Sequence, residues 1–266
     1  MRLFEQLGRK KVVLGMIHLG AMPGTPFYVE GSYEATLERA VADARALFEG
    51  GADGCLVQTV DRAYSKEDEA DPARVAGVAN IVRAIDKATD PEFQVGVQIM
   101  RNALKASLGV AKVCNGSYLR CGALVGATLT PSGMVEANPH ELMQYRNTIG
   151  ARHIKLIAEI DSMHFKWFGG KPTVEVARAA KYVGADAVSL GSPDEEEMLG
   201  MIREVKRALP GLPVILAGYT NHANAARMLA EADGAFVGTC LERDGWGGAI
   251  DIERVREYMA IVQTLR

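Results

Sequence analysis

The chain has 266 residues, 48% hydrophobic and 24% charged, and a formal net charge of −3. No Lys/Arg cluster interleaved with aromatics breaks this balance, so a nucleic-acid partner is excluded. No apolar run reaches the ~18 residues that cross a bilayer, so an integral membrane protein is not expected.

Eight short apolar runs follow one another along the chain, at 12–18, 54–59, 95–100, 117–120, 154–160, 187–190, 214–218 and 235–238. Each ends in a polar or glycine-rich turn. Between them lie amphipathic helical patterns such as 33–49, 73–87, 173–183, 195–209 and 221–231, and a last one covers 251–265. Strand, crossover helix and strand repeated eight times predict an α/β fold, a single (β/α)8 barrel over residues 1–266, close to the ~250 residues usual for that fold. Ser32 and Asp71-Pro72 suit helix starts, and Gly50-Gly51, Gly184 and Gly211 suit helix ends. The longest non-repetitive stretches, 20–32, 59–71, 121–138 and 161–171, all follow strands and read as site walls or lids. The first ten residues lack the apolar core of a secretory signal, and Cys55, Cys114, Cys121 and Cys240 show no CxxC spacing, so a reduced cytoplasmic protein is expected.

A barrel keeps its chemistry at the carboxyl ends of its strands. His18 ends the first run and suits acid/base work there, or a structural bond to the Pro23–Pro26 loop. In the fifth run, alternation puts Lys155, Ile157 and Glu159 on one face and Ile154, Leu156, Ala158 and Ile160 on the other. The wholly apolar face packs under helices, so the mixed face points inward. Glu159 and Asp161, two residues apart, are expected to share the mouth as an acid/base pair, with His164 and Lys166 just beyond. Lys155 lies deeper, as a charge-fixing residue, a Schiff-base nucleophile or the partner of Glu159 in a buried ion pair. Gln58, Gln98, Arg101, Asn102 and Arg120 end neighbouring strands and, with Lys155, are the substrate-binding candidates. Arg120 suits a carboxylate or phosphate, or an ion pair with Glu159. The turns after the last two runs, AGYTNHAN and VGTCLERDGW, suit phosphate through Gly218, Thr220, Asn221, Gly238 and Thr239. A divalent metal on His18, Glu159, Asp161 and His164 is chemically conceivable. No HxH or HExxH spacing supports it, and no metal or cofactor is expected.

The segments MIHLGAMPGTP, DGCLVQTV, VGVQIMRNA, LRCGALVGATLTPSGMVE, IKLIAEIDSMHF and DGAFVGTCLERDG, in this order, resemble the BtpA/SgcQ family over roughly residues 12–262. The resemblance implies a TIM barrel. The family takes its name from a factor for photosystem I accumulation in cyanobacteria, and a bacterial relative carries a nucleosidase or sugar-operon label. His18, Pro23, Gly24, Arg101, Asn102, Arg120, Lys155 and His164 match the family pattern. The chain departs from it at Gln58-Thr59 (usually Glu-Asn), Gln98 (Asn), Gly122 (Asn), Glu159 (Asp), Asp161 (His) and Glu242 (Lys), the mark of a divergent subgroup with an altered mouth.

The expectation is therefore a barrel enzyme acting on a small phosphorylated sugar or nucleoside-type substrate, with nucleosidase-, isomerase- and lyase-type chemistry all open. Glu159, Asp161, His18 and His164 are its expected catalytic residues. The alternative is a non-catalytic assembly factor for a membrane complex, using the exposed aromatics Trp167, Phe168 and Trp246. Homo-oligomerisation suits either.

Overall fold

Alternation along an apolar strand sorts side chains onto two faces, and closing eight strands into a ring gives both faces cover. The computed structural model describes residues 5, 7, 10–65 and 70–266; positions 66–69 of the expected wall loop 59–71 lie outside the described residues. The order is β1 (Val12–Leu19), α1 (Tyr33–Glu49), β2 (Gly54–Thr59), α2 (Pro72–Ala88), β3 (Gln94–Gln98), α3 (Leu104–Val113), β4 (Tyr118–Cys121), β5 (Ala127–Thr130) and β6 (Gly133–Glu136). There follow α4 (Pro139–Thr148), β7 (Lys155–Asp161), α5 (Thr173–Tyr182), β8 (Ala187–Leu190), α6 (Glu195–Ala208), β9 (Val214–Leu216), α7 (Ala225–Glu231), β10 (Gly234–Val237) and α8 (Ile252–Gln263). Eight parallel strands close a ring in the order β1-β10-β9-β8-β7-β4-β3-β2. All eight expected runs are strands of this ring. The stretch 121–138 folds as an antiparallel hairpin, β5–β6, standing over the mouth side of β4.

The two faces separate as alternation requires. Leu156, Ala158 and Ile160 pack outward under the helices, while Ile157 joins Leu14, Leu56, Tyr118, Ile215 and Phe236 inside the ring. The Tyr118 hydroxyl donates to the Cys55 carbonyl at 2.7 Å. Its ring fills the space beside Gly96, where a Cβ would stand 2.2 Å from Tyr118 Cε2, so β3 needs glycine there. Asp71 caps α2, accepting from the Ala73 amide at 2.8 Å, with Pro72 in the first turn as expected. Ser32 does not cap α1: its hydroxyl donates to the Val29 carbonyl at 2.7 Å.

The amino end of the ring is tied by three similar clasps. In each, the aspartate of an Ala-Asp pair at a helix-to-strand turn accepts a neighbouring strand's amide and pairs with a lysine. Asp53 takes the Val13 amide at 2.8 Å and Lys10 Nζ at 2.6 Å. Asp186 takes the Leu156 amide at 3.0 Å and Lys155 Nζ at 3.0 Å. Asp233 takes the Val214 amide at 2.9 Å and Lys206 Nζ at 2.9 Å. Lys155 therefore belongs to the floor of the barrel. The expected Lys155–Glu159 pair does not form, because Lys155 begins β7 and Glu159 nears its other end.

Candidate active site at the carboxyl mouth

Above the apolar interior the inward positions turn polar. His18 aligns with Gln58 and Gln58 with Gln98 across β1, β2 and β3, and Glu159 aligns with Ser189 across β7 and β8. A cavity of about 880 Å³ opens over them, walled by His18, Gln58, Arg101, Arg120, His164 and Trp246.

The floor of this cavity rests on a buried ion pair. Glu159 is fully buried, and its Oε1 accepts from Arg120 Nη2 at 2.7 Å and from the Ser162 hydroxyl. Arg120 also lies over the Phe236 ring, 5.0 Å from its centroid. Glu159 Oε2, Gln98 Oε1, Arg120 Nε and Ser189 Oγ are buried without a hydrogen-bond partner. Each such atom costs about 1–3 kcal/mol. Four beneath one mouth concentrate unmet hydrogen-bonding capacity where this fold puts its chemistry.

Two histidines face the cavity from different walls. His18 Nδ1 is 3.3 Å from Oε1 of the buried Glu242, whose Oε2 accepts the Gly247 amide at 2.8 Å. With Nδ1 on the carboxylate, the ring is oriented and Nε2 is left for other partners. Trp246 lies against the same imidazole, with ring centroids 5.8 Å apart. His164 follows β7, its amide held by the Ser162 hydroxyl at 3.0 Å and its Nδ1 3.4 Å from Arg101 Nη1. Burial pushes the proton affinity of His164 below the ordinary histidine value, and Arg120, Arg101 and His18 push the same way against the pull of Glu159. This lowering favours the neutral imidazole, the form able to accept a proton.

Not every expected residue reaches this mouth. The β7–β8 register slips between Glu159 and Asp161, so Glu159 pairs with inward Ser189 while Asp161 pairs with outward Leu190. That bulge turns Asp161 away: it pairs with Lys166 and accepts from the Thr173 hydroxyl at 2.9 Å at the start of α5. The Glu159/Asp161 acid/base pair therefore does not form. Asn102 is also engaged elsewhere, its amide bonding both the carbonyl and the amide of Ala123, at 3.0 and 2.8 Å.

The five residues expected at phosphate all line the cavity. Gly218 and Tyr219 take positive φ values of 97° and 58° to make the turn after β9. The Thr220 hydroxyl is paired with Tyr258 at 2.8 Å, and Asn221 Oδ1 accepts the Ala223 amide at 2.8 Å, so these side chains brace the turn. Among the described residues, no group of three or more His, Cys, Asp or Glu side chains could hold a metal ion.

Glu242, named in the sequence only as a departure from the family pattern, gave no local signal of its contact to β1, and two further contributors carried no site expectation at all. Tyr64 stacks under Arg101, with the guanidinium carbon 4.8 Å from its ring centroid. Arg74 donates to the Thr59 hydroxyl at 2.8 Å and the Met100 carbonyl at 2.5 Å. Its place on the buried stripe of α2, with Val78, Ile81 and Ile85, was a readable signal.

These features define a single parallel (β/α)8 barrel with a polar mouth carrying two histidines and two arginines. The chain belongs to the BtpA family, whose model matches residues 9–264. An uncharacterised protein of Archaeoglobus fulgidus is 32% identical over 253 residues, covering 94% of this chain and 98% of that one. The photosystem I biogenesis protein BtpA of Synechocystis is 28% identical over 266 residues, covering 97% and 90%. Among solved structures, Mycobacterium tuberculosis tryptophan synthase superposes with a TM-score of 0.61 at 17% identity, covering 98% of this chain and 94% of that one. N-(5'-phosphoribosyl)anthranilate isomerase from Pyrococcus furiosus superposes with a TM-score of 0.55 at 15% identity, covering 96% and 99%. At these identities the likeness is one of fold.

Proposed function

We propose that this chain is a cytoplasmic barrel enzyme that moves protons on a small phosphorylated substrate, in an isomerase- or lyase-type reaction. The observation that carries this is the placement of the two histidines. β1 and β7 are four strands apart either way round the ring, by β10-β9-β8 or by β2-β3-β4. A substrate atom over the barrel axis therefore has His18 on one side and His164 on the other. His164, neutral, takes the proton, and His18, oriented by Glu242, delivers or removes the second. Glycosidic cleavage by two carboxylates loses its basis with Asp161 turned outward and Glu159 locked to Arg120. The phosphate lies against the backbone of the turns after β9 and β10, at Gly218, Gly238 and Thr239, and the name of the phosphoribosyl isomerase that shares the fold favours such a ligand.

A melting-temperature screen of phosphosugars and nucleosides, followed by NMR of bound compounds in D2O, tests this. The expected result is a phosphorylated compound that raises the melting temperature and exchanges a carbon-bound proton. His164→Gln should slow that exchange at least about 100-fold while the melting shift persists. Stabilising compounds that exchange nothing, or exchange equally in the variant, would sink the reading.

The name of the Synechocystis relative favours a second reading, a factor in assembly of a membrane complex. Trp167 does not serve it, since its ring packs on Gly126 and under Lys171. Phe168 and Trp246 are exposed as expected, and the hairpin adds a further candidate surface, where Leu129 and Met134 face each other and are 67% and 41% exposed. A second copy of the chain could use the same surface. Leu129→Lys with Met134→Lys, followed by sedimentation and pull-down, would abolish either association.

A further inference from the structure

The two arginines at the mouth differ in charge balance. Arg120 is neutralised by Glu159 at 2.7 Å. Arg101 lines the cavity, and among the described residues its contacts are the Tyr64 ring, 4.8 Å away, and His164 Nδ1, 3.4 Å away, with its Nε buried and unpartnered. No carboxylate balances it among the described residues. A guanidinium set over an aromatic ring and lining a cavity suits an oxyanion ligand.

Its position matters as much as its charge. Arg101 follows β3, and β3 is four strands from β9 either way round the ring, through β10-β1-β2 or β8-β7-β4. The diameter from β9 to β3 crosses the one from β1 to β7 that carries the histidines. We infer that the substrate carries two anionic groups, one at each end, and that Arg101 binds the end remote from the glycine-rich turns. This rests on the reading above that those turns hold a phosphate. The second group is an oxyanion, either carboxylate or phosphate. With both ends held, the reacting carbon lies where the two diameters cross, between His18 and His164. An anion on Arg101 also offsets one of the cations that lower the proton affinity of His164; the other groups acting on that ring are Glu159, Arg120 and His18.

Calorimetric titration of the whole chain with glycerol 3-phosphate, 3-phosphoglycerate and a pentose bisphosphate tests this. The wild type should bind a doubly anionic compound at least about tenfold more tightly than glycerol 3-phosphate. Arg101→Gln should erase that advantage while leaving glycerol 3-phosphate affinity within about twofold, and Arg101→Lys should keep part of it. The NMR titration of His164 should move upward with the doubly anionic compound in the wild type and not in Arg101→Gln. Preference for phosphoglycerate over the bisphosphate identifies the second group as a carboxylate, and the reverse identifies a phosphate. Glycerol 3-phosphate binding with no gain from a second anion, or equal weakening of all three by Arg101→Gln, overturns the inference and leaves the phosphate reading intact. No binding of any of the three overturns both.

Discussion

At the scale of single residues, the mouth depends on the Arg120–Glu159 pair. Both side chains are shut away from water, so each is stable only while the other is charged. Glu159→Gln should cost about 3–5 kcal/mol in urea denaturation, because a bare guanidinium remains in the interior. The double change Arg120→Met with Glu159→Leu should recover most of that loss. A single-variant loss below about 1 kcal/mol would show that the pair is not buried in solution. The identity of this pair was legible, because Arg120 and Glu159 end adjacent strands and face inward by alternation. Asp161 was misread because the same alternation was carried across a bulge, and nothing in EIDS marks one. Lys155 lies deep as alternation required but has another partner: an inward side chain at the first residue of a strand meets the floor of the barrel, where Asp186 already waits.

At the scale of elements, the loop bearing Arg101 is set by a helix that never touches the cavity. Asp71 caps α2, and α2 carries Arg74 to the Met100 carbonyl, one residue before Arg101. Asp71→Ala should cost about 1 kcal/mol of stability, measured by denaturation, and Asp71→Ser should restore most of it. Equal losses in both variants would mean that the cap is not the cause. Gly24 shares this joint, since a Cβ there would stand 2.0 Å from Asp71 Oδ1 and its φ is +82°. The PGTP turn of the opening motif thus reaches α2 through contact, which explains a glycine that the sequence offered only as a motif letter. The hairpin β5–β6 was not foreseen either. Its strands, ATLT and GMVE, stand outside the ring and mix apolar with polar residues, so they lack the apolar run by which the barrel strands announce themselves.

At the scale of the molecule, the two ends of the barrel have different tasks. The amino end is tied at three seams, with Asp53, Asp186 and Asp233 each joining two strands and a lysine, and Arg266 Nη2 reaching both Asp53 at 2.5 Å and the Lys11 carbonyl at 2.7 Å. Asp53→Asn should lower stability by about 2 kcal/mol and the melting temperature by roughly 5 °C. Ligand binding at the mouth should stay unchanged, and a shift in ligand affinity comparable to the loss of stability would show that the two ends are not independent. The eightfold repeat was readable because it repeats, whereas the clasps escaped notice because an Ala-Asp pair means little until the neighbouring strand is known.

Closure of the ring has one more consequence. Every strand is hydrogen-bonded on both sides, so the gap between β3 and β9 cannot widen or narrow without breaking a ladder elsewhere. An open sheet could flex to suit ligands of several sizes. If the two-anion proposal holds, this ring would act as a calliper, selecting molecules by the length between their ends.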